Sequence, residues 1–263
     1  MKTVGQICEA LFELAPESMK ESWDNVGLLC GHAGQPVKKV LVALDPFPDV
    51  AEEAKVSGVQ LLLTHHPLIF GSIQAVNDQN AVGRTLLTLI ENGIAAVNLH
   101  TNLDSAPGGV NDCLASVLEL EGVQVLMPAG TDAQGRAYGL GRYGVIEPCS
   151  LPVFLHRVRD RLQCGGVRYT DGGRKVHRVA VGGGACGDFL EQAARLGCDT
   201  FVTSDLKYNQ FADARELGIN LVDAGHFPTE NLVCRRLGEW LQSRCPEVEV
   251  LVSQKHEDVV KFL

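Results

Sequence analysis

The sequence has no apolar run near the ~20 residues that a membrane-spanning helix requires. It also lacks a basic leader with an apolar core after Met1-Lys2-Thr3-Val4-Gly5. Both absences predict a cytoplasmic protein with no membrane contact. C-x-x-C pairs are missing too, and the nine cysteines are odd in number and scattered. That pattern excludes a zinc ribbon and suits free thiols in a reducing compartment. Positive charge is scarce: 23 Lys and Arg against 32 Asp and Glu leave a formal charge of -9. A surface that binds nucleic acid by neutralising phosphates is therefore not expected, although a bound metal pair would bring positive charge of its own. There is no solenoid-period repeat, no low-complexity tract, no G-x-S-x-G and no Walker loop. What remains is an ordinary globular composition, 45% apolar and 21% charged over 263 residues. That is enough for one large α/β domain or two smaller ones.

The organising stretch is Leu61-Leu62-Leu63-Thr64-His65-His66-Pro67. Its composition predicts a strand buried on both faces, as in a parallel sheet, and Pro67 forces the chain to leave the ladder. Two imidazoles are thereby delivered at the carboxyl end of a strand, where open α/β sheets keep their ligand sites. The same arrangement recurs twice. Strand 94–99 is followed by His100 and Asp104, and strand 219–223 by His226 and Glu230. The order strand, helix, strand, helix continues through helices near 4–14, 50–56, 80–92 and 110–120. Pro128, Gly130, Gly135, Gly139, Gly141 and Gly144 then break the texture into short strand-like pieces. These place a boundary between a first domain at 1–127 and a second at 128–263. Within the second, helices are expected at 151–162, 187–196, 207–217 and 228–242, and strands at 176–181, 200–204 and 248–253.

A lone histidine in an apolar setting is usually a hydrogen-bonded structural residue. An adjacent pair at the end of a buried strand is harder to bury without partners. In His226-Phe227-Pro228-Thr229-Glu230 a helical turn would let His226 and Glu230 converge on one point. His65, His66, His226, Asp104 and Glu230 then supply three imidazoles and two carboxylates. This is too many for one open catalytic ion and suits two divalent cations with activated water. Zinc, iron, manganese and nickel all accept such ligands. Asp24-Asn25 reads either as turn chemistry or as a loop lining the active site. Gly182-Gly183-Gly184-Ala185-Cys186-Gly187 fits G-x-G-x-x-G, with Asp205 about twenty residues on, as in a dinucleotide site. The preferred reading is that the amides of Gly182, Gly183 and Gly184 hold an anionic part of the substrate.

Four segments, Trp23–Leu28, Thr64–Phe70, Asn98–Asp104 and Asp223–Glu230, occur in the order and with the residues typical of the NIF3 family, which this chain resembles from about residue 4 onward. Bacterial members of the YbgI type carry the label GTP cyclohydrolase 1 type 2. The resemblance implies an α/β fold of two αβα three-layer domains facing each other across a metal-containing cleft. It also implies a dinuclear metal centre and a homohexameric toroid. Carried over by motif, the metal ligands are again His65, His66, Asp104, His226 and Glu230. The implied activity is metal-dependent hydrolysis of a small molecule, a nucleotide such as GTP, with His100 or Asp205 managing protons and Asp24 and Asn25 near the substrate. One departure is Asn209, where many relatives have a histidine, and Asn209 cannot relay a proton. A metal-binding regulator or scaffold, tied to DNA repair or metal supply, is the competing reading, and a nucleotide-binding oxidoreductase the third.

Overall fold

Strand β1 (Lys2–Thr3) leads directly into helix α1 (Val4–Leu14), whose buried stripe is Val4, Ile7, Leu11 and Leu14. Thr3 starts the helix by capping: its Oγ1 accepts from the Gln6 amide at 3.3 Å, and the Gln6 side chain accepts from the Thr3 amide at 3.0 Å. The computed structural model describes residues 1–263. Next come β2 (Gly27–Cys30), β3 (Pro36–Val37), β4 (Lys39–Ala43), α2 (Pro48–Val56), β5 (Leu61–Thr64), α3 (Ala81–Glu91) and β6 (Ala95–Asn98). Then follow α4 (Thr101–Ser105), α5 (Val110–Val117), β7 (Glu121–Thr131), β8 (Ala137–Cys149), α6 (Leu151–Leu162), β9 (Arg168–Thr170) and β10 (Val176–Val181). The remainder is α7 (Leu190–Arg195), β11 (Thr200–Thr203), α8 (Tyr208–Leu217), β12 (Asn220–Asp223), α9 (His226–Glu230), α10 (Leu232–Arg244) and β13 (Glu249–Val252). No helix is long and apolar enough to cross a membrane.

The fold is mixed α/β with two sheet-bearing units. The first comprises Met1–Leu103 and Val233–Glu257, the second Asp104–Leu232 and Asp258–Leu263. In the first unit the strand order is β13-β4-β5-β6-β2. The first four strands run parallel, and β2 closes one edge antiparallel to β6. Leu61, Leu62 and Leu63 are all fully buried, as the apolar run predicts for a strand covered on both faces. Leu41, Ala43, Leu62 and Ala96 pack with Val50, Ala51 and Ala54 of α2 and Leu86 and Leu89 of α3.

In the second unit the order is β7-β8-β10-β11-β12-β9, with β10, β11 and β12 parallel. Side chains alternate across this sheet. Val179, Val181, Val202 and Val222 pack with α5 and α6, while Ala180, Phe201 and Leu221 pack with α7 and α8. The sheet is thus the middle of three layers.

The division differs from a boundary at 127/128. That position lies inside β7, which pairs with β8 from Glu121↔Val145 to Thr131↔Ala137. The glycines there serve the hairpin. A Cβ on Gly139 would sit 2.1 Å from the Met127 carbonyl oxygen, so Gly139 permits a close strand approach at an irregular register. Nor does the final strand stay with the second unit, since β13 pairs with β4.

Candidate metal centre

In the first unit β5 ends at Thr64, whose hydroxyl donates to the His66 carbonyl at 2.7 Å and turns the chain out of the sheet. His65 is fully buried and its Nδ1 meets the Leu99 carbonyl at 2.8 Å. A carbonyl only accepts, so Nδ1 carries the proton and Nε2 the lone pair. His66 Nδ1 meets Asp45 Oδ1 at 2.7 Å, and His100 Nδ1 meets Asp24 Oδ1 at 2.8 Å. All three imidazoles are therefore held in the same tautomer by outer partners, as metal-ligating histidines are. Their ring centroids lie 4.9, 5.3 and 5.6 Å apart. One ligating atom from each lies within 4.8 Å of the others. His100, expected as a proton carrier, is thus also a full member of this cluster.

Asp24 is the buried support. Its Oδ2 accepts from the Thr101 amide at 2.9 Å and the Thr101 hydroxyl at 2.5 Å, and its Oδ1 accepts from the Asn25 amide at 2.8 Å. Burial alone would raise its pKa, but His100 and Thr101 outweigh burial and hold the carboxyl well below the usual range. Asn25 Nδ2 donates to the Ile69 carbonyl at 2.8 Å, and its own carbonyl accepts from Asn98 at 3.0 Å. Asp24 and Asn25, expected beside substrate, brace the histidine loops. Trp23 and Phe70 are 60% and 63% exposed, with centroids 5.8 Å apart and both edge-on to His100. Sequence reasoning did not single out Asp45. Only its place at the end of β4, next to Pro46, could have flagged it.

In the second unit α9 begins at His226, after Gly225 at φ +88°, and a break at Asn231 separates it from α10. Its single turn brings His226 Nε2 to 3.0 Å from Glu230 Oε2, the convergence that the spacing predicts. Asp205, at φ +54°, places Oδ2 2.7 Å from His226 Nδ1. Asp205, expected to handle protons, is thus placed to orient this imidazole. Burial works against charge on His226, but Asp205 and Glu230 on either side carry its pKa up to about 10. Asp104 lies on α4, and its carbonyl accepts from Asn111 Nδ2 at 2.9 Å. Burial first, then the negative charges of Asp104, Glu230 and Asp188, push the Cys186 thiol far up, so these carboxylates crowd one region. Asn209 is exposed at the start of α8.

The glycine run does not form an anion cradle. The Gly182 amide donates to Val202 O at 2.9 Å, Gly183 to Asn111 Oδ1 at 2.9 Å and Gly184 to Thr229 Oγ1 at 3.1 Å. All three amides are consumed inside the protein, and only the six-residue α7, preceded by a short 3₁₀ turn, follows. The dinucleotide reading fails on the same ground. The glycines are there for space. A Cβ on Gly184 would lie 2.2 Å from Glu230 Oε1, and one on Gly183 would lie 2.7 Å from Val110 Cγ1.

The histidines of the first unit, and the histidine and carboxylates of the second, are thus donors of the kind that hold metal. The chain is 32% identical over 263 residues to a Clostridium perfringens protein named GTP cyclohydrolase 1 type 2 homolog, covering 99% of each chain. A Streptomyces coelicolor protein of the same name is 37% identical over 235 residues, covering 88% of this chain and 82% of that one. The crystal structure of a Bacillus cereus protein related to NIF3 matches with a TM-score of 0.94 at 25% identity, covering 100% of this chain and 99% of that chain. The family Duf34/NIF3 (NGG1p interacting factor 3) matches residues 2–259, the span that holds all three sheets, the small β1–β3 pair included, and every histidine and carboxylate described above, and this chain belongs to it.

Proposed function

We propose that the protein is a hydrolase working with two divalent metal ions, held by His65, His66, Asp104, His226 and Glu230, on a purine nucleotide such as GTP. The observation that carries the metal reading is the anchoring of every imidazole in the set at Nδ1, by Leu99, Asp45 and Asp205. When bound, such ions supply Lewis acidity and make water nucleophilic at neutral pH.

The chain's own residues have separate tasks. Leu99, Asp45 and Asp205 fix ring orientation, and Glu230 brings negative charge against His226. His100 takes and returns a proton at Nε2, with Asp24 on Nδ1 stabilising the charged ring. The substrate class is supported by the names of the relatives and by Trp23 and Phe70, whose exposed rings beside His100 offer a stacking surface for a planar base.

Metal content and GTP turnover, compared between the wild type and His65→Ala, test the proposal. About two equivalents per wild-type chain are expected, with at least one lost in the variant and turnover reduced at least 100-fold. One equivalent or fewer after reconstitution would sink the two-ion reading. Full loading without turnover of GTP or any other nucleotide would make the protein a metal-binding regulator or scaffold.

A further inference from the structure

The segment after β13 is largely exposed, yet His256 within it has a side chain only 3% exposed. The turn that buries it is built around Glu53 of α2. Glu53 accepts from the hydroxyl of Ser253 at 2.5 Å and from the amides of Gln254 at 2.9 Å and Lys255 at 3.3 Å. Ser253 Oγ in turn accepts from the His256 amide at 3.1 Å. The ring then stacks on Phe47, with centroids 5.7 Å apart and planes 22° from parallel. Its Nε2 lies 2.9 Å from Asp45 Oδ2, and the Asp45 amide N–H points at the same nitrogen from 3.2 Å. One ring nitrogen cannot donate to Oδ2 and accept from the amide at once; the contact to the carboxylate is the shorter and is charge-assisted, so Nε2 carries the proton and donates to Oδ2. Asp45 Oδ1 is the atom that meets His66 Nδ1, at 2.7 Å. Asp45 is therefore gripped from both sides, by His66 through one oxygen and by His256 through the other.

We infer that His256 is a positioning residue for His66, acting through Asp45. This rests on the reading of His66 as a metal ligand. The physical reason is rotational. A carboxylate bonded at one oxygen can swing about its Cβ–Cγ bond. The His256 donor on Oδ2 removes that freedom and leaves Oδ1 aimed at His66 Nδ1–H. Outer partners of this kind typically account for about 10- to 100-fold in metal affinity. The contact spans 211 residues of sequence and lies wholly within the first unit.

Two measurements on the intact chain test this, neither of them activity. In metal-free protein, long-range ¹H–¹⁵N imidazole spectra should show His66 as the Nδ1–H tautomer in the wild type. The tautomers should mix in His256→Ala. In zinc titrations His256→Ala should bind about 10-fold more weakly. His256→Gln, whose terminal amide can reach the position of Nε2–H, should recover most of the loss, and His256→Asn, which is too short, should not. If the only role of His256 is to fasten the tail, the alanine variant will melt earlier while His66 keeps its tautomer and zinc its affinity, and the inference is overturned. Should the alanine variant not fold, Gln and Asn variants that behave identically overturn it as well. Failure of the wild type to bind zinc would remove the proposed function, while the tautomer measurement would still decide the role of His256.

Discussion

The Asp24→Ala variant is expected to lose about 3–5 kcal/mol of stability, the range for removing one partner from a buried charged network. The Asp24 side chain is fully buried, and its loss leaves the Thr101 amide, the Thr101 hydroxyl, the Asn25 amide and His100 Nδ1–H without their acceptor. Each orphaned donor costs about 1–3 kcal/mol unless water enters. Asp24→Asn should fall between. Its carbonyl oxygen can serve Thr101, but its amide then faces the Asn25 N–H and forces the His100 proton to Nε2. The effect has a pH signature. The folded-state pKa of Asp24 is depressed, so the unfolded chain takes up its proton first on acidification. The stabilisation is then full above the unfolded carboxylate pKa of about 4 and lost as the pH falls towards the folded value. Urea midpoints of wild type and Asp24→Ala should therefore differ most near neutrality and converge in acid. A gap that is constant from neutral pH to pH ~3 would refute the assignment of that stability to the ionised carboxylate.

Gly184→Ala should be the most damaging methyl group that can be added to this chain near the second ligand cluster. Two costs combine there. At φ +64° an L residue costs about 1–2 kcal/mol, and a Cβ would stand 2.2 Å from Glu230 Oε1 and 3.2 Å from His226 Nε2. Glu230 is buried and α9 is a single turn, so the carboxylate has little room to retreat. A total of about 2–4 kcal/mol is expected, together with loss of bound metal. Gly173→Ala is the control. Its φ of +75° carries the same backbone cost, but no atom lies within 4 Å of the added carbon. The difference in melting temperature between the two variants isolates the clash. Gly173→Ala should load metal like the wild type. If Gly184→Ala does so too, Glu230 is not a ligand that depends on this packing.

The contrast between these residues shows how far the sequence could be read. His65, His66, His226 and Glu230 were legible because local rules place them: an apolar strand stopped by proline, and a four-residue helical spacing. The glycine run misled because a pattern of small residues records that something approaches closely, without saying what. At Gly184 what approaches is Glu230 Oε1. The hairpin of β7 and β8 misled for a related reason, since glycines that let strands pack closely look in sequence like those of a linker. Asp45 and His256 stayed hidden because their pairing belongs to the tertiary fold. No local periodicity connects a strand end to a residue 211 positions away.

The return of β13 to the edge of β4 sets an order on biosynthesis. The second unit has a nearly continuous body, Asp104–Leu232, and can fold as soon as that stretch leaves the ribosome. The first unit, although it begins the chain, must wait. Until Glu249–Val252 emerge, β4 presents an unpaired edge of apolar strand, the kind of template that recruits other chains. The nascent protein therefore passes through a stage in which its later half is native and its earlier half is not. Premature release within that window would yield an aggregation-prone product whose second unit lacks only its Asp258–Leu263 segment, and protection of the β4 edge by a chaperone matters most while residues 104–248 are being made.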